Sequence, residues 1–246
     1  GLAPRARGPR EVQTHFSVRG PRFGQSLILV DGFRMNNSQS GHHNGEIPMP
    51  LGAVDRVEVV YGASSAVHGA DALGGTIQVI SRQGDFATAS TAFGEHGLAS
   101  GEASFSGYLV PENWTVVGWG SRSNGFDFDR DFALGGGLVR GELPHNVTMD
   151  VRHQRRAFGA NGFYGPSPSK EWTDGTLAGA TWKRAGTAWV GSVRGAYRLH
   201  HDHFRWDINR PGFAENRHRT DAVDLNATLT RELGSGRRAT VGLAAG

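Results

Sequence analysis

Two groups of histidines are the residues whose type and spacing could bind a metal ion. His42 and His43 are adjacent, and His200, His201 and His203 lie within four positions of one another. Neutral imidazole is a common metal ligand. However, the chain contains no cysteine, and no carboxylate stands at ligand spacing beside either group. The sequence therefore favours loop histidines that are solvated or contact a ligand, and it predicts no metal site and no cofactor.

Other familiar chemistries are missing as well. The glycine-rich residues 62–75 have neither the GxxxxGK[ST] nor the GxGxxG spacing of a phosphate-binding loop. No Ser/His/Asp set and no pair of carboxylates stands out as catalytic. The net charge of +3 is carried by arginines spread along the chain, whereas a nucleic-acid surface needs clustered Lys and Arg. We therefore predict a protein that is neither an enzyme nor a nucleic-acid binder.

The elements that position these residues differ between the two parts of the chain. In the first part, short runs rich in β-branched residues predict strands. Asp31-Gly32 favours a tight reversal between two of them. These strands are residues 12–19, 26–30, 33–35, 56–61 and 76–81.

Three further segments of the first part lack strand character. Residues 1–10 are rich in Arg, Pro and Gly and are expected to have no regular structure. Residues 64–68 could form one helical turn. Residues 36–46, NNSQSGHHNGE, are polar or Gly throughout and predict a loop, the kind of segment in which binding residues concentrate.

After about residue 84 the pattern changes to long alternating segments. Their apolar faces are thin and diluted by Gly and Ala, while their polar faces carry charge, which is typical of a lipid-facing band around a polar lumen. Tight turns alternate with long connections at residues 123–131, 155–174 and 201–217. We expect about nine strands of an outer-membrane barrel. The chain has no run of about 18 apolar residues, so no transmembrane helix is predicted.

Five motifs in order give the first part a family resemblance. They are Leu27-Ile28-Leu29-Val30-Asp31-Gly32, Ile47-Pro48, Val54-Asp55-Arg56-Val57-Glu58-Val59, the run from Tyr61 to Gly69, and the run from Ala72 to Ser81. This series resembles the plug domain of TonB-dependent outer-membrane receptors, and residues 15–20 resemble the arginine-glycine segment that precedes it. Ala63 stands where the family commonly has Pro, and His68 where it commonly has Tyr.

The resemblance implies a mainly β protein with two parts. Residues 1–83 would be a small α+β plug domain, and residues 84–246 the first strands of an antiparallel transmembrane β-barrel. Both ends of the chain look cut, so we expect a fragment whose strands form an open, curved sheet. The expected location is the Gram-negative outer membrane, in contact with its lipid.

The function implied is import of a scarce nutrient complex. The receptor would bind a siderophore-iron or cobalamin type of cargo, preferred over haem, and TonB with its inner-membrane partners would supply the energy. Residues 36–44 correspond to the plug loop that touches the substrate, and the aromatic residues near the long connections could stack on it or form a membrane girdle. The predicted substrate contacts are Asn36, Asn37, Gln39, His42, His43, Asn44, Phe163, Tyr164, Trp172 and Trp206.

Polar contacts would hold the plug inside the lumen. On the barrel side the candidates are Glu102, Asp150 and Arg152, with Arg194 and Asp224. On the plug side they are Arg19, Arg56 and Glu58. Two other functions stay open: a passive porin or adhesin-like barrel, and a soluble histidine-rich metal-binding or hydrolytic β protein. A full-length gene with a TonB box upstream and about 13 more strands downstream would favour the receptor over the first alternative. Recovery in the soluble fraction without detergent would favour the second.

Overall fold

Most of the chain is β-structure, as predicted. The computed structural model describes residues 2–8, 12–18, 23–62, 72–109 and 112–246. Within these residues the strands form three sheets, of two, four and nine strands. Among the described residues, no helix has the length and the apolar character needed to span a membrane.

The two-stranded sheet pairs β1 (Leu2–Ala6) with β2 (Thr14–Val18) in antiparallel orientation. The prediction that residues 1–10 lack regular structure is therefore wrong for residues 2–6. The composition was misleading, because β1 is an edge strand and such a strand tolerates proline. The strand predicted at residues 12–19 begins at Thr14, two residues later than expected, and residue 19 lies outside the described residues.

The four-stranded sheet contains β3 (Ser26–Val30), β4 (Phe33–Arg34), β5 (Val54–Tyr61) and β6 (Gly75–Ser81) in the order β4-β3-β6-β5. Strands β3 and β6 are parallel, and the other neighbouring pairs are antiparallel. The predicted reversal after β3 is confirmed, because Asp31 and Gly32 have φ values of 50° and 82°, as a two-residue type I′ turn requires. The predicted helical turn at residues 64–68 lies outside the described residues.

The third sheet has nine strands, as many as the sequence predicted after about residue 84. Each strand pairs antiparallel with the next in sequence, and β7 and β15 form the two edges, so the sheet is open. We call this sheet the wall. Its strands are β7 (Phe86–Phe93), β8 (Ala99–Leu109), β9 (Glu112–Ser123), β10 (Phe132–Leu143), β11 (Val147–Gly159), β12 (Lys170–Ala185), β13 (Trp189–Arg205), β14 (Glu215–Gly234) and β15 (Arg237–Ala245).

The long connections of the wall are shorter than the sequence predicted. Residues 160–169 join β11 to β12, and residues 206–214 join β13 to β14. The strands continue into the polar segments that were assigned to loops, because backbone pairing does not require an apolar side chain. Residues 144–146 and 186–188 form short turns at the other end of the same strands.

The two faces of the wall have the character that a membrane barrel requires. On β11, Asp150, Arg152 and Gln154 are buried, whereas Met149 and Val151 on the other face are half exposed. Exposed Val223, Leu225 and Leu229 continue the apolar face on β14. The first face points to the strands that precede the wall, which we call the N-terminal unit (β1–β6 and their connections). An apolar outer face and a polar inner face match the predicted barrel.

One apolar core joins the N-terminal unit to the wall. Most of its buried side chains come from β3, β6 and the residues between β4 and β5, and three come from the wall. They are Ile28, Val30, Phe33, Met35, Met49, Ala53 and Val79 with Val117, Leu138 and Leu177. The N-terminal unit thus shares this core with the inner face of the wall, and Val12 joins a second cluster of wall side chains.

Candidate functional site

A buried ion-pair network links the β3–β4 turn to the wall. The Asp31 carboxylate forms ion pairs with Arg140 of β10 and Arg152 of β11. Asp150 lies beside both arginines, 3.1 Å from Arg140 Nη2 and 2.6 Å from Arg152 Nε. Two carboxylates thus face two guanidinium groups. Because Arg152 has an exposed fraction of 0%, its charge depends on these partners.

The N-terminal unit also fixes Asp31 itself. The backbone N–H of Ser81, at the end of β6, donates a 2.9 Å hydrogen bond to Asp31 Oδ1, and the Ser81 hydroxyl contacts Oδ2. Burial alone would raise the pKa of Asp31, but the charges of Arg152 and Arg140 and the bonds from Ser81 lower the pKa to about 2. Asp31 is therefore ionised at neutral pH and acts as the anionic contact of the turn.

Two arginines of β13 hold backbone carbonyls of the N-terminal unit. Arg194 Nη1 donates a 3.2 Å hydrogen bond to the carbonyl of Gly32. Arg198, which is buried, donates to the carbonyls of Met35 and Asn36. These bonds fix the chain just before residues 36–46, the polar segment that the sequence singles out.

Residues 36–46 form a compact segment whose three asparagines bond to backbone. Asn36 Oδ1 accepts a 2.7 Å bond from the N–H of Ile28, and Asn36 Nδ2 donates a 3.0 Å bond to the carbonyl of Ser26. Asn37 Oδ1 accepts from two N–H groups of the segment, and Asn44 Oδ1 accepts a 2.8 Å bond from the N–H of Asn37. All three asparagines are buried, so their side chains shape the segment.

Fewer of the predicted substrate contacts in this segment are exposed than the sequence suggested. Gln39 is exposed and His42 is half buried. His42 Nδ1 lies 2.9 Å from His15 Nε2. The His42 ring also packs edge-on against Tyr164, with the ring centroids 5.4 Å apart. Burial, His42 and Arg7 lower the pKa of His15 to about 4. Burial, Arg7 and His43 also lower the pKa of His42, so both rings favour the uncharged form at neutral pH.

His43 and Glu46 point from the same segment into the wall. His43 Nδ1 lies 2.9 Å from Glu46 Oε1 and 3.8 Å from Glu171 Oε1. Glu46 Oε2 accepts a 3.0 Å bond from the Thr173 hydroxyl and lies 3.2 Å from His200 Nε2. These residues connect the segment to β12 and β13.

The ionisation of this pair follows from its surroundings. Burial alone would lower the pKa of His43, but the hydrogen bond to Glu46 and the charges of Glu46, Glu171 and Asp202 raise the pKa to about 9. Burial would raise the pKa of Glu46, but the bonds to His200 and His43 and the charge of Arg156 hold it well below its usual range. His43 and Glu46 therefore form an ion pair at neutral pH.

The predicted aromatic contacts fall into two groups. Phe163 is buried and Tyr164 and Trp206 are partly buried in one cluster, where Tyr164 packs edge-on against Phe204 at 5.2 Å. Trp172 lies elsewhere: it stacks on His203 at 4.9 Å, and it alternates with the buried Glu171 and Thr173 on β12. Since successive side chains of a strand point to opposite faces, Trp172 lies on the outer face of the wall.

The other predicted contacts are placed as follows. Glu102 lies against Gly52, because a Cβ on Gly52 would overlap its carboxylate. Arg56 is exposed and pairs with its strand neighbours, at 2.6 Å from Asp55 and 2.8 Å from Glu58. Arg19 lies outside the described residues.

Sequence reasoning missed several residues of the contact between the N-terminal unit and the wall. Three of them, Arg140, Glu171 and Asp202, are buried on inner-face positions of wall strands. The alternation of those strands could have shown this. Two others, Asp31 and Glu46, lie in the predicted turn and the predicted loop of the N-terminal unit, but nothing in their local sequence marks them as contacts to the wall.

The comparisons with known proteins agree with this architecture. Residues 1–76 match the family model of the TonB-dependent receptor plug domain. The first 76 residues are thus similar to the plug domain of TonB-dependent receptors. The chain is 33% identical over 131 residues to the vitamin B12 transporter BtuB of Vibrio vulnificus, an alignment covering 52% of this chain and 21% of that protein. It is 40% identical over 77 residues to an iron-regulated outer-membrane virulence protein of Vibrio cholerae, covering 28% and 12%.

Solved structures show the same fold over nearly the whole chain. The alcaligin outer-membrane receptor FauA of Bordetella pertussis superposes with a TM-score of 0.73 at 19% identity, covering 99% of this chain and 41% of FauA. The ferric citrate transporter FecA superposes with a TM-score of 0.77 at 13% identity, covering 98% and 42%. The chain therefore spans less than half of these receptors. We call the N-terminal unit the plug from here on.

These findings confirm three predictions from the sequence. The fold is a plug against an open set of barrel strands, the protein belongs to the outer membrane, and its relatives are transporters and receptors, not enzymes. The cargo and the dependence on TonB are properties of a whole receptor, and this chain spans less than half of one.

Proposed function

We propose that this chain forms the plug and first barrel strands of a receptor that imports a nutrient complex of the siderophore-iron or cobalamin type, with energy supplied through TonB. Support comes from the match to the plug family and from relatives named as a vitamin B12 transporter and an iron-regulated outer-membrane protein. The observation that carries the proposal is the position of residues 36–46. They lie against the start of β12 and the last part of β13, which are the ends of these strands that adjoin the long connections of the wall.

We propose fewer cargo-contacting residues than the sequence predicted. Of the contacts predicted in the segment, Gln39 is exposed and His42 is partly exposed, and Tyr164 and Trp206 are partly exposed nearby. An amide, imidazoles and aromatic faces can bind a large chelate by hydrogen bonds and stacking. Asn36, Asn37 and Asn44 would support the segment from behind, since their side chains already bond to backbone.

Ligand binding to the purified receptor in detergent tests the cargo. Ferric siderophores and cyanocobalamin are titrated separately, and one of these classes is expected to bind. Deleting residues 39–44 should weaken binding at least tenfold, and His42→Ala should weaken it by a smaller factor. The control is His145→Ala, because His145 is exposed in the short turn at the opposite end of the wall. Unchanged affinity after the deletion would rule out residues 36–46 as the cargo contact.

Uptake by cells tests the dependence on TonB. Cells with and without TonB should bind the ligand equally, and only cells with TonB should accumulate it. Uptake that persists without TonB would support the passive-barrel alternative. The plug match and the fold would then stand, but the proposed transport mechanism would not.

A further inference from the structure

Five side chains with metal-binding atoms meet where the plug contacts β12 and β13. His43 and Glu46 come from the plug, Glu171 from β12, and His200 and Asp202 from β13. They form two overlapping triads, His43–Glu46–His200 and His43–Glu171–Asp202, and the ligand atoms of each triad lie within 4.8 Å of one another. The sequence argued against metal because neither histidine group had a complete ligand set, but the fold brings the two groups together, each with a nearby carboxylate (Glu46 and Asp202), and adds Glu171 from β12.

The spacing of the atoms suits a tetrahedral metal ion. Ligands at about 2.0–2.1 Å from a zinc ion in tetrahedral geometry lie about 3.3 Å from one another. The separations here are 2.9 Å from His43 Nδ1 to Glu46 Oε1, 3.2 Å from His200 Nε2 to Glu46 Oε2, and 3.8 Å from His43 Nδ1 to Glu171 Oε1. Small side-chain rotations would therefore bring these atoms into one coordination shell.

Two further observations indicate a place for an ion. His43, Glu46 and His200 line a cavity of about 20 Å³, which is the space of about one water molecule or small ion. Asp202 is 6% exposed, and although its Oδ2 lies 3.0 Å from His218 Nδ1, its Oδ1 is buried without a hydrogen-bond partner in the structure. A buried carboxylate oxygen without a partner is costly, and a cation would satisfy it.

The donor types select the class of ion. Imidazole and carboxylate ligands together suit Zn²⁺ and other first-row divalent metals, whereas Mg²⁺ and Ca²⁺ prefer oxygen alone. We propose that His43, Glu46 and His200, with Glu171 or Asp202 completing the shell, bind one divalent transition-metal ion, such as Zn²⁺, that joins the plug to the wall. The ion takes the place of the proton that His43 Nδ1 shares with Glu46.

Such an ion would be a resident of the receptor and not its cargo. His43, Glu171, His200 and Asp202 are each less than 9% exposed, so a nutrient chelate cannot reach them while the plug is in place. Because ligands come from both the plug and the wall, a bound ion would hold residues 41–46 against β12 and β13. The proposal does not depend on which cargo the receptor imports.

Metal titration of the purified receptor in detergent, stripped with a chelator and without nutrient ligand, tests the proposal. When the receptor competes with a chromophoric chelator for Zn²⁺, it should bind one zinc ion per receptor. His43→Ala and His200→Ala should each weaken that binding at least tenfold. His96→Ala and His145→Ala are the controls, because both histidines are exposed, and they should leave it unchanged.

Absence of a stoichiometric site, or full affinity in either inner variant, would overturn the proposal. Each variant is first checked for folding by circular dichroism. If an inner variant does not fold, X-ray absorption of the zinc-loaded wild type decides: two imidazole ligands with carboxylate oxygens support the site, and a shell without histidine refutes it. Because nutrient and TonB are absent from these measurements, their result is independent of the transport proposal.

Discussion

Replacing Asp31 by Asn should weaken the attachment of the plug to the wall without disturbing the turn. Asparagine tolerates the left-handed backbone that Asp31 adopts at φ 50°. The substitution keeps the shape of the side chain and removes its charge. Arg140 and Arg152 would then share Asp150 as their remaining anion in the network.

The structure gives two routes to the size of this effect. The pKa of Asp31 falls from 3.8 to about 2. Since one pKa unit corresponds to about 1.4 kcal/mol, ionised Asp31 stabilises the folded protein by about 2 kcal/mol, through the two wall arginines and through Ser81 of the plug. Breaking a buried ion pair by removing one partner typically costs about 3–5 kcal/mol. Asp31 is partly accessible, with 13% of its side chain exposed, so we expect a loss of about 2–3 kcal/mol.

Urea denaturation of the receptor in detergent, monitored through a fluorescent label on the plug, measures this loss of stability. Hydrogen exchange at the Ser81 amide adds a local readout, because that N–H bonds to Asp31 Oδ1. Asp55→Asn is the matched control: Asp55 also pairs with an arginine, at 2.6 Å, but its side chain is 46% exposed. Exposed pairs contribute about 0–1 kcal/mol, so the control should change little.

The pH dependence gives a second check on the same residue. Since the folded state lowers the pKa of Asp31, its stabilising effect is complete above about pH 5 and is lost as the pH falls through 3.8 toward 2. The difference between wild type and Asp31→Asn should therefore shrink over that range. A loss no larger than that of Asp55→Asn at pH 7, or a difference that does not change with pH, would refute the ion-pair account.

Three other substitutions test other parts of the plug and the loops. Asn36→Ala leaves buried backbone groups of β3 without partners and should lower the free energy of plug unfolding in urea by about 1–3 kcal/mol. Gly32→Ala should lower it by about 1–2 kcal/mol, because φ is 82° and a Cβ would lie 2.5 Å from Arg194, whereas Gly24→Ala, with open space, should not. Burial and a neighbouring carboxylate raise the pKa of Asp129 to about 6, so Asp129→Asn should raise the melting temperature at pH 7.5 but not at pH 4.

Local patterns predicted the strands well and the long-range contacts poorly. The alternation of apolar and polar residues was sufficient to count the wall strands and to place Asp150 and Arg152 on the inner face, since side-chain direction in a strand has a period of two. The Asp31-Gly32 turn was likewise readable, because few dipeptides accept positive φ at both positions. These features depend on neighbours in sequence.

The contacts that build the candidate site depend on residues far apart in sequence. Asp31 meets Arg140 and Arg152, and Glu46 meets His200. No local pattern states which plug residue faces which wall residue, because the parallel pairing of β3 with β6 and the position of the plug set those distances. The same holds for the buried asparagines, which look like exposed loop residues in the sequence but bond to backbone in the fold.

The balance of polar and apolar contacts explains how a plug can be both firmly held and displaceable. Apolar contacts join the plug to the wall at two places: Val117, Leu138 and Leu177 join the plug core, and Val12 of the plug packs in a second cluster with Phe158 and other wall side chains. Ionic and hydrogen-bonded contacts form the other part of the attachment, and buried ion pairs gain little over their separated, hydrated partners because desolvation offsets the Coulomb attraction. Water entering a polar lumen could therefore replace these bonds one at a time. In the proposed transport cycle, the ion pairs of Asp31 would set the position of the resting plug, and a metal ion at His43 would add a contact that must be released before it moves.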